Sequence, residues 1–374
     1  MVDGIEKIVA ELPELQDVTG VFALADARVA QGDAAFAADL GLALARAYGS
    51  SERMWQYTSV FGHLLRLLAT TAGPENVVQA LRLVSAAEVT SPKRDRSMAS
   101  LLASSHEVAH LAAAFTGPAS EELRACLVQE LVLRGVVVDE TPGIAEWATS
   151  PHGSRHPLGW LPRTRSELEA GAALPSYHAR GGSHAMPYGP STSREPAVIS
   201  GAPVPSSKET TTPAVATAMA AAVSNWADES NGRIEARVFA LAEPLDAASV
   251  PDALLTLGLK CLHGAGTGAA VSVAVHPPAR AWQVLFAAAS TGGAYNHGAY
   301  GAYGRLAAWR SLAALAGSPE GDGVGDVEAR ARDSIWYGFE AGTEWFERVA
   351  WDIGLAALGP DRRRLAVLAA TDTD

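Results

Sequence analysis

The sequence predicts an α+β protein, with an all-α N-terminal bundle or irregular helical repeat and a C-terminal part built on a largely antiparallel sheet. Two observations carry this. From about residue 3 to 149, apolar residues recur at three- and four-residue spacing almost throughout, the period of helices that bury one face. Beyond about residue 215 the period changes, and Arg233 to Leu241 (RIEARVFAL) alternates with Ile234, Ala236, Val238 and Ala240 on one face, as a half-buried strand does. Residues 150–214 separate the two parts and hold about half of the 21 prolines, with four histidines and little periodicity. The expected organisation is a helical domain over 1–149, a linker or surface strap over 150–214, and an aromatic-rich α+β domain over 215–374.

Taken in order, the spacing predicts helices near 32–48, 52–72, 74–87, 95–115 and 119–135. Gly49-Ser50-Ser51, Gly73-Pro74, Ser91-Pro92 and Gly117-Pro118 punctuate them. Such short connections imply antiparallel neighbours. In the middle region, His152, His156, His178 and His184 are spaced irregularly and interrupted by Pro157, Pro162 and Pro175, so they read as loop histidines rather than a ligand set. A loop of this length acts as a lid or strap when ordered. The last part reads as helix (217–228), strand (233–241), helix (250–262), strand (269–275), helix (279–290) and helix (305–316). Three strands follow at 335–341, 346–358 and 364–371, the last two joined by a turn at Gly359-Pro360-Asp361-Arg362.

Composition excludes several classes. At 374 residues with 48% hydrophobic and 19% charged residues, the chain is long enough for two cores and is not a disordered polymer. A net charge of −12 opposes phosphate backbones, and the basic clusters Lys93-Arg94-Asp95-Arg96 and Arg362-Arg363-Arg364 are short. Nucleic acid is therefore not an expected partner. Cys126 and Cys261 have no CxxC or Cys/His companion, which fits a reducing cytoplasm without a disulfide framework. Met1 to Leu15 carries Asp3, Glu6, Lys7, Glu11 and Glu14 among its apolar residues, unlike a signal peptide. No apolar run approaches the roughly 18 residues of a membrane span, so the expectation is a soluble protein with no membrane partner.

One stretch spells out a chemistry. His106-Glu107-Val108-Ala109-His110 is an HExxH pattern, in which two histidines a helical turn apart hold zinc and the glutamate serves as general base. Glu130, with Glu121 and Glu122 behind it, is the best-placed third ligand on a following helix. Against this, Ala113 and Thr116 stand where a longer zinc-protease motif has glycine and a third histidine. Winding Leu101 to Phe115 at about 100° per residue puts Leu101, Leu102, Val108, Ala109, Ala112 and Phe115 on the packed stripe. His106 and His110 then fall on the opposite, solvent-facing side.

Eight of the nine tryptophans follow residue 146, and Trp282, Trp309, Trp336, Trp345 and Trp351 crowd the mixed domain, enough for a large core or a lined pocket. Glycines ahead of a helix in Thr291 to Arg305 (TGGAYNHGAYGAYGR) admit two readings. Backbone N–H groups converging on an anion, with Arg305 adding charge, make one; close backbone packing with Tyr295, Tyr300 and Tyr303 filling adjoining space makes the other. A ligand site there comprises Tyr295, His297, Tyr300, Tyr303, Arg305, Trp309 and Asp352. Glu344, Asp352, Asp372 and Asp374 form a further carboxylate group at one sheet end, with a frayed terminus as the competing reading of the last two.

The segments GGAYNHGAYGAYGRLAAWRSLAAL (292–315) and TEWFERVAWDIGLAALGPDRRRLAVLAATDTD (343–374) resemble the C-terminal half of an uncharacterised family of intracellular proteins found in bacteria and plants. The resemblance implies a genuine folded domain over roughly 230–374 and no reaction type. Three functions follow from the residues. The first is a binding protein for a protein or small-molecule ligand. The second is a zinc-dependent hydrolase using His106, His110 and Glu107, and the third an enzyme with its pocket at the Gly/Tyr loop.

Overall fold

The computed structural model describes residues 2–49, 54–85, 91–184, 203–265, 271–346 and 351–372. The chain divides into two compact units, one formed by Met1–Gly159 with Leu174–His184, the other by Trp160–Ala173 with Ala185–Asp374.

The first unit is helical: α1 (Val2–Glu11), α2 (Thr19–Ala30), α3 (Ala34–Tyr48), α4 (Trp55–Thr70), α5 (Pro74–Ser85), α6 (Pro92–Ser105), the single turns α7 (Val108–Leu111) and α8 (Ala113–Thr116), α9 (Glu121–Leu133), α10 (Pro142–Thr149) and α11 (Pro151–Arg155). Starts are set by caps. Asp33 accepts the Phe36 N–H at 3.2 Å, and Ser120 accepts the Leu123 N–H at 3.0 Å while its hydroxyl donates to Asp95 at 2.7 Å, tying the start of α9 to α6. Leu40, Leu44, Leu64, Leu68, Leu83, Leu102 and Leu127 lose all contact with solvent in the shared core. A hairpin of β1 (Ser176–His178) and β2 (Gly181–Ser183) belongs to this unit and lies against α4 and α6. The Ser100 hydroxyl donates to the Tyr177 hydroxyl at 3.2 Å, and Arg180 pairs with Asp26, which also holds His63 at 2.7 Å.

The expected continuous helix over 95–115 does not form. Helix α6 stops at Ser105, and His106 (φ −127°, ψ 151°) and Glu107 (φ −67°, ψ 147°) are extended. Leaving the helix lets the His106 Nε2–H reach the Ala69 carbonyl at 3.0 Å, in the last turn of α4, where carbonyls have no helical partner. It also changes which residues are packed. Leu111 and Ala114 are buried while Ala109 is exposed, and both histidines are half-buried rather than solvent-facing.

The second unit contains β3 (Ser207–Glu209), α12 (Pro213–Met219), α13 (Ser224–Asp228), β4 (Arg233–Leu241), α14 (Val250–Thr256), β5 (Val271–His276), α15 (Pro278–Thr291), α16 (Tyr300–Ala316), α17 (Val324–Asp333), β6 (Ile335–Ala341), β7 (Trp351–Leu358) and β8 (Arg364–Asp372). The strands form one sheet in the order β3-β4-β8-β7-β6-β5, every neighbouring pair antiparallel. Helices α15 and α16 contact strands β5 to β8. Tyr337, Phe339, Leu358, Leu365 and Val367 share a second core with Val250, Ala253 and Leu254 of α14. Covered on both faces, β8 is apolar without alternation (LAVLAA).

Two expected boundaries shift for local reasons. The helix expected over 250–262 ends at Thr256 because the buried Glu235 carboxylate collects the N–H groups of Lys260 (2.9 Å) and Cys261 (2.8 Å), and Gly258 turns the chain at φ 63°. Of the strand expected over 346–358, Trp351–Leu358 is extended, Phe346 instead ends a 3-10 turn at Glu344–Phe346 that buries it with Trp345, and residues 347–350 lie outside the described ones. Helix α16 starts earlier than 305, inside the Gly/Tyr segment, so Gly301 and Gly304 are helical and buried. At the other end of α16, Arg364 at the start of β8 donates to the Leu315 (2.5 Å) and Ala314 (2.7 Å) carbonyls, a cation where the helix dipole favours one.

A Cβ at Gly304 would lie 2.7 Å from the Ser290 Cβ and 2.9 Å from its Cα, whereas one at Gly325 in α17 would meet nothing within 4 Å. Gly304→Val is therefore expected to destabilise by about 1–3 kcal/mol through overpacking, and Gly325→Ala to stabilise by about 0.5–1 kcal/mol through helix propensity. The urea midpoints should move in opposite directions.

Candidate functional site

The segment Gly292–Ala299, between α15 and α16, is a tightly tied loop. Gly292 has φ 86°, and a Cβ there would meet the Asn296 Oδ1 at 2.5 Å, so glycine is required by both conformation and space. Asn296 accepts the Gly293 N–H (2.9 Å) and the Asn225 side-chain amide (3.0 Å), and returns its own amide to the Asn225 carbonyl (3.0 Å). Asp372, wholly buried, accepts the Ala294 N–H at 2.7 Å and the Ser230 hydroxyl at 2.7 Å. It is an anchor and not a frayed end; Asp374 lies outside the described residues.

Backbone bonds from Gly298 N to the Thr291 carbonyl and from Ala299 N to the Ala289 carbonyl complete the loop. Tyr300 then enters α16 at φ 60°, a left-handed conformation that a bulky residue adopts only when its surroundings fix it. Through this frame the loop presents Tyr295, 59% exposed, and His297, also exposed, with Tyr300 and Tyr303 half-buried behind them.

Arg305 and Trp309, placed in the same ligand site by sequence, serve another purpose. Arg305 is wholly buried and forms a fork on Glu169, with Nε 2.6 Å from Oε1 and Nη2 2.9 Å from Oε2. It also donates to the Pro162 (2.9 Å) and Thr164 (3.0 Å) carbonyls. The Trp309 indole N–H (2.7 Å) and the Ser166 N–H (2.8 Å) complete the shell of Glu169. These groups fasten residues 160–173 to α16. Asp352 stands opposite Thr371 across the β7–β8 ladder, so strand alternation puts it on the face of the sheet away from Asp372 and the loop.

In the first unit, His106 and His110 straddle the break after α6, Glu107 is exposed, and Glu130 is buried in an ion pair with Arg134. Among the described residues no three His, Cys, Asp or Glu side chains gather as a metal would require. Burial is the main reason the His106 imidazole is held below its ordinary value near 6.5, with His110 adding to the effect. Burial also pushes the thiols of Cys126 and Cys261 up, so neither is poised as a thiolate nucleophile.

The sequence carried two signals for the residues it did not place. Ser166-Glu167-Leu168-Glu169 is a capping-box pattern, and Asp372 closes an apolar run with a carboxylate. Asn225 and Ser230 had no signal, since only the fold brings them to the loop. These features define a two-unit α+β protein with an aromatic loop tied down by hydrogen bonds. Residues 19–374 match the model of a family of unknown function, DUF6183, and the chain belongs to that family. Neither the curated proteins nor the solved structures contain a match.

Removing one member of the buried Arg305–Glu169 pair, as in Glu169→Ala, should cost about 3–5 kcal/mol, because the remaining charge stays buried and unpaired; urea unfolding measures it. His106 gives a pH dependence of known sign. Its proton binds more readily in the unfolded chain, so its contribution is complete above about pH 6.5 and is lost as pH falls toward the folded value. Stability should decline on acidification below about pH 6.5, and less steeply in His106→Gln.

Proposed function

We propose that this protein is a binding protein that offers the loop 292–300 to a protein partner, with Tyr295 and His297 as the contacting side chains. The observation behind this reading is the combination of a large exposed aromatic with a hydrogen-bonded frame: the buried Asp372, the Asn225–Asn296 pair and the left-handed Tyr300. A connector between two helices needs none of these. A tyrosine held this way contributes contact area with little further loss of side-chain freedom on binding, and strain retained at one residue is common where a loop is shaped for a task. Two free, buried cysteines support action in a reducing compartment. The net charge of −12 argues against a polyanionic partner.

A photo-crosslinking amino acid at Tyr295 tests the reading, with Val137, 49% exposed in the other unit, as control position. In cells that make the protein, a discrete protein adduct is expected from position 295 and not from 137. It should be lost in His297→Ala and reduced several-fold in Asp372→Asn, with the folded fraction checked by circular dichroism. The same adducts from both positions, or none from 295, would discard the proposal.

A further inference from the structure

The β1–β2 hairpin reaches three helices of the first unit with little apolar surface. None of residues 176–184 is buried: Tyr177, Ala179 and Gly181 are half-buried and the rest exposed. Its strands are joined by three residue pairs and a Ser176–Ser183 hydroxyl contact at 2.8 Å, and a hairpin of that size has little stability of its own in water. Two polar contacts tie it to the helices. The Ser100 hydroxyl of α6 donates to the Tyr177 hydroxyl at 3.2 Å, and Arg180 Nη2 donates to Asp26 of α2 at 3.3 Å. The Arg180 side chain is 77% exposed, so that ion pair is a surface one and weak.

The helices have their own contacts, which do not involve the hairpin. Asp26 holds the His63 Nε2 at 2.7 Å through its other oxygen, Phe22 stacks on the His63 ring at 4.2 Å, and Leu64, Leu68 and Leu102 of α4 and α6 are fully buried. Ser100, by contrast, is wholly shielded and gives its hydroxyl proton to the hairpin. Breaking the two contacts lifts 176–183 away and uncovers Ser100 and one Asp26 oxygen, while α2, α4 and α6 keep their packing. Local opening draws on such parts, with few buried apolar contacts. We infer that residues 176–183 are a latch over α2, α4 and α6, with Tyr177–Ser100 and Arg180–Asp26 as its catches, and that ionic strength sets how often it stands open. Salt loosens the second catch, which is ionic and exposed, and spares the first. The open latch presents a carboxylate already oriented by His63 and a free hydroxyl, groups that the closed hairpin occupies with its own arginine and tyrosine.

The test uses Ser100→Cys in the full-length chain as a reporter. Cys126 and Cys261 are both buried, so a thiol-reactive probe meets position 100 when the hairpin lifts, and labelling at Cys126, mapped by mass spectrometry, reports global unfolding instead. Position 100 is expected to label well ahead of Cys126, and about two- to five-fold faster once Arg180→Ala is added, as loss of an exposed ion pair predicts. Raising sodium chloride from about 0.05 M to about 1 M should give a similar increase with Arg180 in place and none without it. Equal rates with and without Arg180, no response to salt, or labelling of position 100 only together with Cys126 would overturn the inference. Deuterium uptake in the chain that keeps Ser100 gives a second readout. Uptake over 174–184 should rise with salt and with Arg180→Ala while that of α4 and α6 stays the same; no change over 174–184, or an equal rise in the helices, would exclude the latch.

Discussion

The buried ion pair of Arg305 and Glu169 is the constraint around which the second unit is arranged. Two charges with no access to water persist only if each is fully served. Here the carboxylate receives the guanidinium fork, an indole N–H and a backbone N–H, while the guanidinium also satisfies two carbonyls of the 160–173 segment. Such a centre contributes less through net energy than through selectivity. Only one register of residues 160–173 against α16 supplies every partner.

The loop is built on the same logic at a smaller scale. Asp372 sits where a Cβ on Gly293 would collide with its carboxylate, so glycine and aspartate are matched across space. The Gly-Ala-Tyr repetition visible in the sequence has two unrelated causes. Gly292 and Gly293 admit a turn and a carboxylate, whereas Gly304 lets α16 approach the backbone of α15 at Ser290. A single motif on paper is thus divided between a surface loop and a helix interface.

Much of the architecture was legible because it rests on period. Helical spacing marked α3, α4, α5 and α9, and alternation or apolar runs marked β4, β6 and β8. What failed was decided by side-chain chemistry at a distance. The helix over 95–115 broke because the imidazole of His106 finds the last turn of α4, and the helix after 250 ended early because Glu235 gathers two N–H groups beyond it. Local propensity carries no record of either partner. Of the ligand set, Tyr295, His297, Tyr300 and Tyr303 stay together because they are neighbours in sequence. Arg305 and Trp309 were drawn inward by a glutamate more than a hundred residues away, and Asp352 was sent to the other face by strand parity.

Strand β8 holds α16 at both ends: Arg364 takes the carbonyls at the helix terminus, and eight residues later Asp372 takes the loop that precedes the helix. A nine-residue strand and a seventeen-residue helix are each roughly 25–30 Å long, so both clamps close only while those lengths agree. The two elements therefore act as a matched ruler. Insertions and deletions among related chains should collect in the connection from Gly317 to Gly323, and leave the residue counts of α16 and β8 the same.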